Sequence, residues 1–260
     1  MATRRRLDAE LVRRGLSSSR SEAQAAIEAG WVTVSGAPTS KTSRLVAPDE
    51  PVRVIDRARF VSRGGDKLDA ALEHFGVIVE ARRALDAGAS TGGFTDCLLQ
   101  RGAREVVAVD VGHGQLHPRV RDDGRVVVLE RTNIRSVTAE LLGGTFDVVV
   151  ADLSFISLRT VTEALLRVAA PGADLVWLVK PQFEAGRIEV ARGRGVVKDQ
   201  VVRSRVQHEI DELLTASGAT VRNWMDCPVV GPAGNVELLV HAVAPSVPPV
   251  PATFDAHEAR

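Results

Sequence analysis

Cysteine is scarce in this chain. Cys97 and Cys227 are the only two among 260 residues, far apart and without a metal-type spacing, so neither a disulfide framework nor a zinc site is indicated. Long apolar runs are missing too: no uncharged stretch approaches the ~18 to 20 residues needed to cross a bilayer. The basic N-terminus passes straight into Asp8, Glu10 and Arg13 with no apolar segment behind it, which argues against a secretory signal. These absences fit a cytoplasmic protein that neither enters a membrane nor holds a metal. Net charge is absent as well, with 33 basic against 33 acidic side chains, and any attraction to nucleic acid has to come from local asymmetry. Lysine, finally, is rare. Lys41, Lys67, Lys180 and Lys198 are the only four, and arginine fills every other basic position. Where such a chain keeps lysine, a deprotonable amine is a candidate requirement, because a guanidinium does not give up its proton. Chance placement explains any single lysine about as well.

What is present begins with arginine. The first twenty residues carry Arg4, Arg5, Arg6, Arg13, Arg14 and Arg20 against Asp8 and Glu10, an excess that suits RNA phosphates and equally a solvated helix face. Leu7 and Leu11 stand four apart within residues 6–14, and Gly15 is placed to stop a short amphipathic helix. Ser19 and Glu22 read as a capping box opening a second helix, with Ala23, Ala26 and Ile27 as its apolar stripe and Gly30 as its stop. The period then becomes strand-like at residues 31–34, followed by a Ser35-Gly36 turn and a short strand at 52–54. This α+β pattern, carried by Ser19, Arg20, Ser21, Ala25, Ile27, Gly30, Val32, Val34 and Gly36, resembles the alpha-L RNA-binding domain of a ribosomal protein and several RNA-modifying enzymes. The expected organisation is an alpha-L domain over 1–58, a linker over 59–63, a larger domain over 64–244 and a proline-rich, unfolded tail over 245–260.

The larger domain alternates short β runs with helical stretches, the signature of a parallel α/β sheet. Seven strands are predicted, over 84–87, 106–110, 126–129, 147–151, 174–179, 220–224 and 236–242. A long helix over 199–216 precedes the last two, which are compatible with an antiparallel edge. The first strand runs into Asp86-Ala87-Gly88-Ala89-Ser90-Thr91-Gly92-Gly93-Phe94, and a helix starts near Gly92. Glycines there let the backbone turn tightly and approach a ligand at the carboxyl end of the strand. Ser90 replaces the second glycine of the dinucleotide fingerprint, and the missing Gly-Lys-Ser/Thr excludes a standard P-loop. A pyrophosphate wants bare backbone N–H groups, whereas S-adenosylmethionine (SAM) carries a sulfonium and an amino group that favour a carboxylate such as Asp86. Asp110, ending the second strand, is placed to take ribose hydroxyls. SAM is the favoured cofactor, with strand-end capping as the bland reading of both aspartates.

Four further segments fall at strand or helix ends on the same rim. They are Ser62-Arg63-Gly64-Gly65-Asp66-Lys67-Leu68, Ala151-Asp152-Leu153-Ser154-Phe155-Ile156-Ser157, Val179-Lys180-Pro181-Gln182-Phe183-Glu184 and Gly231-Pro232-Ala233-Gly234-Asn235-Val236-Glu237. With the glycine turn and the alpha-L module they resemble, over nearly the whole chain, the TlyA family of ribosomal RNA 2'-O-methyltransferases, some of which are labelled hemolysins. The resemblance implies a Rossmann-like, FtsJ-like SAM-dependent methyltransferase domain and a Lys-Asp-Lys-Glu tetrad at Lys67, Asp152, Lys180 and Glu237. Cofactor contacts are expected from Asp86, Gly88, Ala89, Ser90, Thr91, Gly92, Gly93, Phe94, Asp110, Asn133, Asp152 and Phe155, with Gln115 a further adenosine candidate. RNA contacts are expected from Arg4, Arg6, Arg13, Arg14, Arg20, Arg59 and Arg63. The substrate implied is cytidine ribose in ribosomal RNA within ribosomal subunits. The basic stretch from Arg4 to Arg14 looks like that of members acting on both 16S and 23S RNA. Arg59-Phe60 departs from the family pattern of a small residue followed by tryptophan.

The chemistry suits these residue types. A ribose 2'-hydroxyl is a poor nucleophile at neutral pH, so attack on a sulfonium methyl needs a base near the oxygen and in-line placement. Lys180 is the candidate base, Lys67 a neighbouring cation and hydrogen-bond donor, and Asp152 and Glu237 would orient the amines and the sugar. Taken singly, each has a bland reading as a surface lysine, strand-end cap, turn residue or edge charge; taken together, the functional reading leads. The rivals are a base methyltransferase, an inactive RNA-binding protein and a membrane-damaging toxin. The two prolines of an amino-methylating Asp/Asn-Pro-Pro-aromatic motif are missing at 152–155, and no lytic segment is present.

Overall fold

Leu7 and Leu11 lie one helical turn apart, and both are fully buried. They belong to the first of two units, Met1–Arg59 and Phe60–Arg260, into which the chain divides. The computed structural model describes residues 4–28, 30–54, 59–185, 196–197, 199–229, 231 and 234–246. Lys198, Pro232, Ala233 and the tail from 247 onward lie outside the described residues.

In the first unit α1 (Leu7–Arg13) packs on α2 (Arg20–Glu28). Gly15 and Gly30 adopt the left-handed φ values of 69° and 77° beyond the two helix ends. The capping box is present in altered form. Ser19 Oγ accepts from the Glu22 N–H at 3.2 Å, but Glu22 reaches back to Ser18, accepting from its N–H at 2.6 Å and its hydroxyl at 2.5 Å. Five short strands accompany them, one before the helices and four after: β1 (Arg5–Arg6) pairs with β4 (Leu45–Val46), while β2 (Val32–Val34) pairs with both β3 (Ala37–Pro38) and β5 (Val52–Val54). Two residues cannot show an alternation, so β1, β3 and β4 fall outside the expected strands. Val32, Val34 and Val46 close the core over Leu7, Leu11, Ala23 and Ile27.

All seven expected strands of the second unit are present: β6 (Arg83–Ala87), β7 (Glu105–Val109), β8 (Val126–Leu129), β9 (Phe146–Ala151), β10 (Ala169–Val179), β11 (Thr220–Asp226) and β12 (Leu238–Val243). They form one sheet in the order β11-β12-β10-β9-β6-β7-β8, mostly parallel. β12 is antiparallel to both neighbours, inserted between β10 and the outer β11. Its Leu238-Leu239-Val240 run is buried on both faces, whereas β11 keeps exposed side chains that suit an edge. Strand alternation divides the core. Leu85, Val107, Val149 and Trp177 face one layer with α5 (Thr162–Val168) and α7 (Gln200–Ala216). Ala84, Val106, Val148 and Val150 face the other, with α3 (Arg63–Phe75) and α4 (Gly93–Gln100). Each buried Leu or Val side chain is worth roughly 1.5–3 kcal/mol, so the sheet is a firm platform.

Two local features aim this platform at a site. The order reverses beside β6, whose neighbours β7 and β9 follow it on opposite sides, and ligands of such sheets bind at the carboxyl ends beside that switch point. The starts of α3 and α4 also press together through glycine. A Cβ on Gly93 would stand 2.2 Å from Ser62 Oγ, and one on Gly65 would stand 2.2 Å from the Phe60 ring. Of the expected linker, Phe60 is buried in this core, Val61 donates its N–H to Asp96 at 2.8 Å, and Ser62 caps α3 by accepting from Gly64 N at 3.3 Å. Among the described residues no helix is long and apolar enough to cross a membrane, and no His, Cys, Asp and Glu cluster could hold a metal ion.

Candidate active site

β6 ends at Ala87, and the chain turns through Gly88 at φ 88° and Ser90 at φ 47° before Gly92, at φ 92°, caps α4. Gly88 has no room for a side chain, since a Cβ there would lie 2.6 Å from the Asp152 carbonyl oxygen. The turn spends four of its own donors. Gly88 and Ala89 give their N–H groups to Val109 O at 2.8 and 3.2 Å, Gly92 to Ala89 O at 2.7 Å, and Ser90 to the Asp110 carboxylate at 2.8 Å. A pyrophosphate needs such donors bare, so the turn suits a cation better than an anion. The other Asp110 oxygen accepts from Gly112 N at 2.7 Å. Asp86, fully buried beneath the turn, accepts from the Thr95 hydroxyl at 2.6 Å with one oxygen and has no hydrogen-bond partner for the other. Burial pushes its pKa up to about 7 against the Thr95 bond, and the nearby charge of Asp152 adds to the rise.

The four tetrad candidates come from four separate elements. Lys67 lies on α3, Asp152 directly follows β9, Lys180 directly follows β10 and Glu237 directly precedes β12. Lys67 Nζ sits 2.5 Å from Glu237 Oε2. Lys180 Nζ sits 2.6 Å from Asp152 Oδ1 and donates to Ser154 Oγ at 2.9 Å. Both lysines are only 8% exposed, and Glu237 is 2% exposed. Lys67, Asp152, Ser154 and Lys180 line one cleft of about 250 Å³ together with Ser62, Arg63, Gly64, Gly88, Ala89, Ser90, Thr91, Gly93 and Phe94. Glu237 stands behind Lys67, close to Gly231, where a Cβ would come within 3.0 Å of its Oε1. Replacing buried ion pairs with apolar packing often leaves stability unchanged or raises it. Two of them converging on a cleft point instead to chemistry.

A family model described as FtsJ-like methyltransferase matches residues 60–243, and one described as S4 domain matches residues 5–52. The 16S/23S rRNA (cytidine-2'-O)-methyltransferase TlyA of Mycobacterium tuberculosis is 52% identical over 91% of this chain and 89% of its own. The chain belongs to the TlyA family of FtsJ-like methyltransferases. Another member, the 23S rRNA (cytidine-2'-O)-methyltransferase TlyA of Campylobacter jejuni, is 31% identical over 71% of each chain. A hemolysin-named protein from Streptococcus thermophilus has a solved structure that matches with a TM-score of 0.75 at 35% identity, covering 95% of this chain and 91% of that one.

SAM is the cofactor of this methyltransferase fold, and the residues present fit it. The unpartnered, buried Asp86 oxygen, the Gly88 backbone pressed against Asp152 and the already bonded turn N–H groups describe a seat for a positively charged nucleoside. Gly92 and Asp110 shape the turn from behind the cleft lining. Asn133 and Gln115 are exposed and do not line the cleft. Asn133 accepts from Arg135 N at 3.0 Å and so caps a short helical turn. Phe155 is not a core residue: it holds a left-handed φ of 63°, is 92% exposed, and has its ring 5.3 Å from that of Phe183. A non-glycine residue in that backbone region is uncommon and marks a place where surrounding structure imposes the conformation.

Ser62, Ser154 and Glu184 stand in the rim segments of the sequence without a role of their own there; Ser62 and Ser154 line the cleft, and Glu184 braces the loop after Asp152. Glu184, at the end of α6 (Pro181–Glu184), accepts from Ser157 Oγ at 2.5 Å and Leu158 N at 2.8 Å, and burial raises its pKa. Serines in loops follow no periodicity or spacing that would have singled them out.

The N-terminal arginines are engaged within their own unit. Arg6 forks onto the fully buried Asp8 at 3.1 and 2.9 Å, and Arg20 reaches it at 3.2 Å. Arg13 forks onto the equally buried Glu10 at 2.7 and 2.6 Å, and Arg14 meets it at 2.7 Å while donating to the carbonyls of Glu50, Ala47 and Pro48. The Arg6 bond holds Asp8 well below the usual carboxylate range, and the Arg13 bond lowers Glu10 to about 2. Arg6 and Arg20 nevertheless keep 42% and 58% of their side chains exposed, while Arg14 keeps 19%. Arg4 and Arg59 are exposed, and Arg63 lines the cleft.

Proposed function

We propose that the chain methylates the 2'-hydroxyl of cytidine ribose in 16S and 23S ribosomal RNA, in the cytoplasm, with Lys67, Asp152, Lys180 and Glu237 as its catalytic residues. The supporting observation is the pair of lysine–carboxylate contacts converging on the cleft that the glycine turn also lines. The M. tuberculosis relative at 52% identity is named for both RNAs and the C. jejuni relative at 31% for 23S alone, which favours the broader substrate.

SAM, when bound, supplies an activated methyl on a positively charged sulfur. The chain's task is placement and proton removal, of which placement is the larger. Lys180 takes the proton of the 2'-hydroxyl as its oxygen attacks, and Asp152 balances the charge that the amine gains. Lys67, held by Glu237, donates to the ribose and fixes its pucker and approach. Phe155 offers a nucleobase an exposed ring at the cleft edge. The N-terminal unit, with eleven basic and seven acidic side chains, contributes RNA contacts through Arg4, Arg6, Arg13, Arg20 and Arg59, and Arg63 contributes them at the cleft. Arg14, turned onto three carbonyls, braces that surface from behind.

Incubation with methyl-labelled SAM and separated ribosomal subunits, followed by digestion to nucleosides, tests this reading. Label is expected in 2'-O-methylcytidine from both subunits. Label on a base would overturn ribose chemistry, and label from one subunit would restrict the substrate.

A further inference from the structure

We propose that Ser154 is a positioning residue for the Lys180 amine. The proposal rests on the reading of Lys180 as proton acceptor and adds a group that the tetrad does not contain. The Lys180 side chain is almost wholly enclosed, and its Nζ meets Asp152 Oδ1 at 2.6 Å and Ser154 Oγ at 2.9 Å. A neutral amine carries two hydrogens and one lone pair. Asp152 Oδ1 is a charge neighbour that accepts no hydrogen bond, so the Ser154 hydroxyl is what fixes one hydrogen of the amine, and with it the turn of the lone pair toward the cleft that all three residues line. Without the Ser154 hydroxyl that hydrogen has no fixed acceptor, the amine turns about its carbon–nitrogen bond, and the lone pair loses its aim.

The hydroxyl can serve this purpose because its loop is fastened at several points. At one end the Asp152 N–H donates to Ala87 O at 3.0 Å, fixing the loop to β6. At the other, Glu184 holds both Ser157 and Leu158. Between them Phe155 is locked at φ 63° with its ring against Phe183. Lys180, Phe183 and Glu184 all belong to one five-residue stretch, so the amine and the loop that carries its hydroxyl partner are tied to each other along their length.

The test compares Ser154→Ala, Ser154→Thr and Lys180→Ala in single turnover at saturating SAM and ribosomal subunit. Ser154→Ala is expected to slow methyl transfer about tenfold, the scale of a modest misplacement, with the Kd values for SAM and RNA within about twofold of wild type. Ser154→Thr, which keeps the hydroxyl, is expected to recover most of the rate. A wild-type rate in Ser154→Ala would overturn the proposal, as would a loss that tracks weakened SAM or RNA binding or one that threonine does not rescue. A wild-type rate in Lys180→Ala would instead overturn the proton-acceptor reading on which the proposal stands.

Discussion

In the N-terminal unit Asp8 and Glu10 lie near the surface, shut off from water by the partly exposed arginines laid over them, two to each, whereas in the methyltransferase unit Asp86 lies deep in the protein and keeps one oxygen without a partner. Their pKa values move in opposite directions, down for the first two and up to about 7 for the third. Depth raises the one, and the guanidinium groups laid over the shallow pair lower the others. Where the chain needs a fold, it surrounds a carboxylate with guanidinium groups that never release a proton. Where it needs a site, it leaves a carboxyl incompletely satisfied beneath a cation's seat and sets lysine beside Asp152 and Glu237.

Removing one partner of a structural pair should have the largest effect on stability. Asp8→Ala leaves the partly exposed Arg6 and Arg20 without their shared carboxylate and removes the bond from Ala9 N, and is expected to destabilise the N-terminal unit by about 1 kcal/mol, read from the midpoint of its denaturant transition, with ribosomal RNA affinity falling alongside. An unchanged midpoint would mean that these pairs are ornamental.

Acid separates the two kinds of carboxylate. The folded-state pKa of Glu10, near 2, lies below its ordinary 4.5, so its contribution is full above about pH 4.5 and is lost as pH falls toward 2. Asp86 has the reverse sign: its folded-state pKa near 7 lies above the ordinary 3.8, so stability declines as pH rises from about 4 to about 7. A bound cation favours the ionised form. SAM affinity is therefore expected to climb with pH up to about 7, by at most about tenfold per unit, and to level off above it. Calorimetric titration of Asp86→Asn should give a flat profile; the wild-type slope in that variant would place the titrating group elsewhere.

The smallest effect is expected at Phe155. Its ring is 92% exposed, so Phe155→Ala should leave thermal stability within about 1 °C, yet raise the KM for RNA about fivefold if a base stacks there. Loss of stability without a change in KM would return Phe155 to a structural role.

The sheet was legible because buried parallel strands are short β-branched runs bounded by glycine and charge, as at 106–110 and 147–151. The glycine turn was legible because Gly88 and Gly92 need left-handed backbone that other residues adopt with difficulty. The positions of Lys67, Asp152, Lys180 and Glu237 followed from family likeness and from the rarity of lysine. The pairing of each amine with one carboxylate did not follow, because it depends on β12 returning between β10 and β11 to bring Glu237 alongside α3. The internal pairing of the arginines was not legible. A run of basic residues states charge but not which of it is already matched, and Asp8 and Glu10 face inward to take up that of Arg6, Arg13, Arg14 and Arg20.

Single-turnover methyl transfer by Lys180→Ala, measured beside its Kd for SAM, bears most directly on the claim that the paired amines do the chemistry. A rate lowered by about a thousandfold with SAM affinity within about twofold of wild type is the expected result. Transfer at the wild-type rate would contradict it.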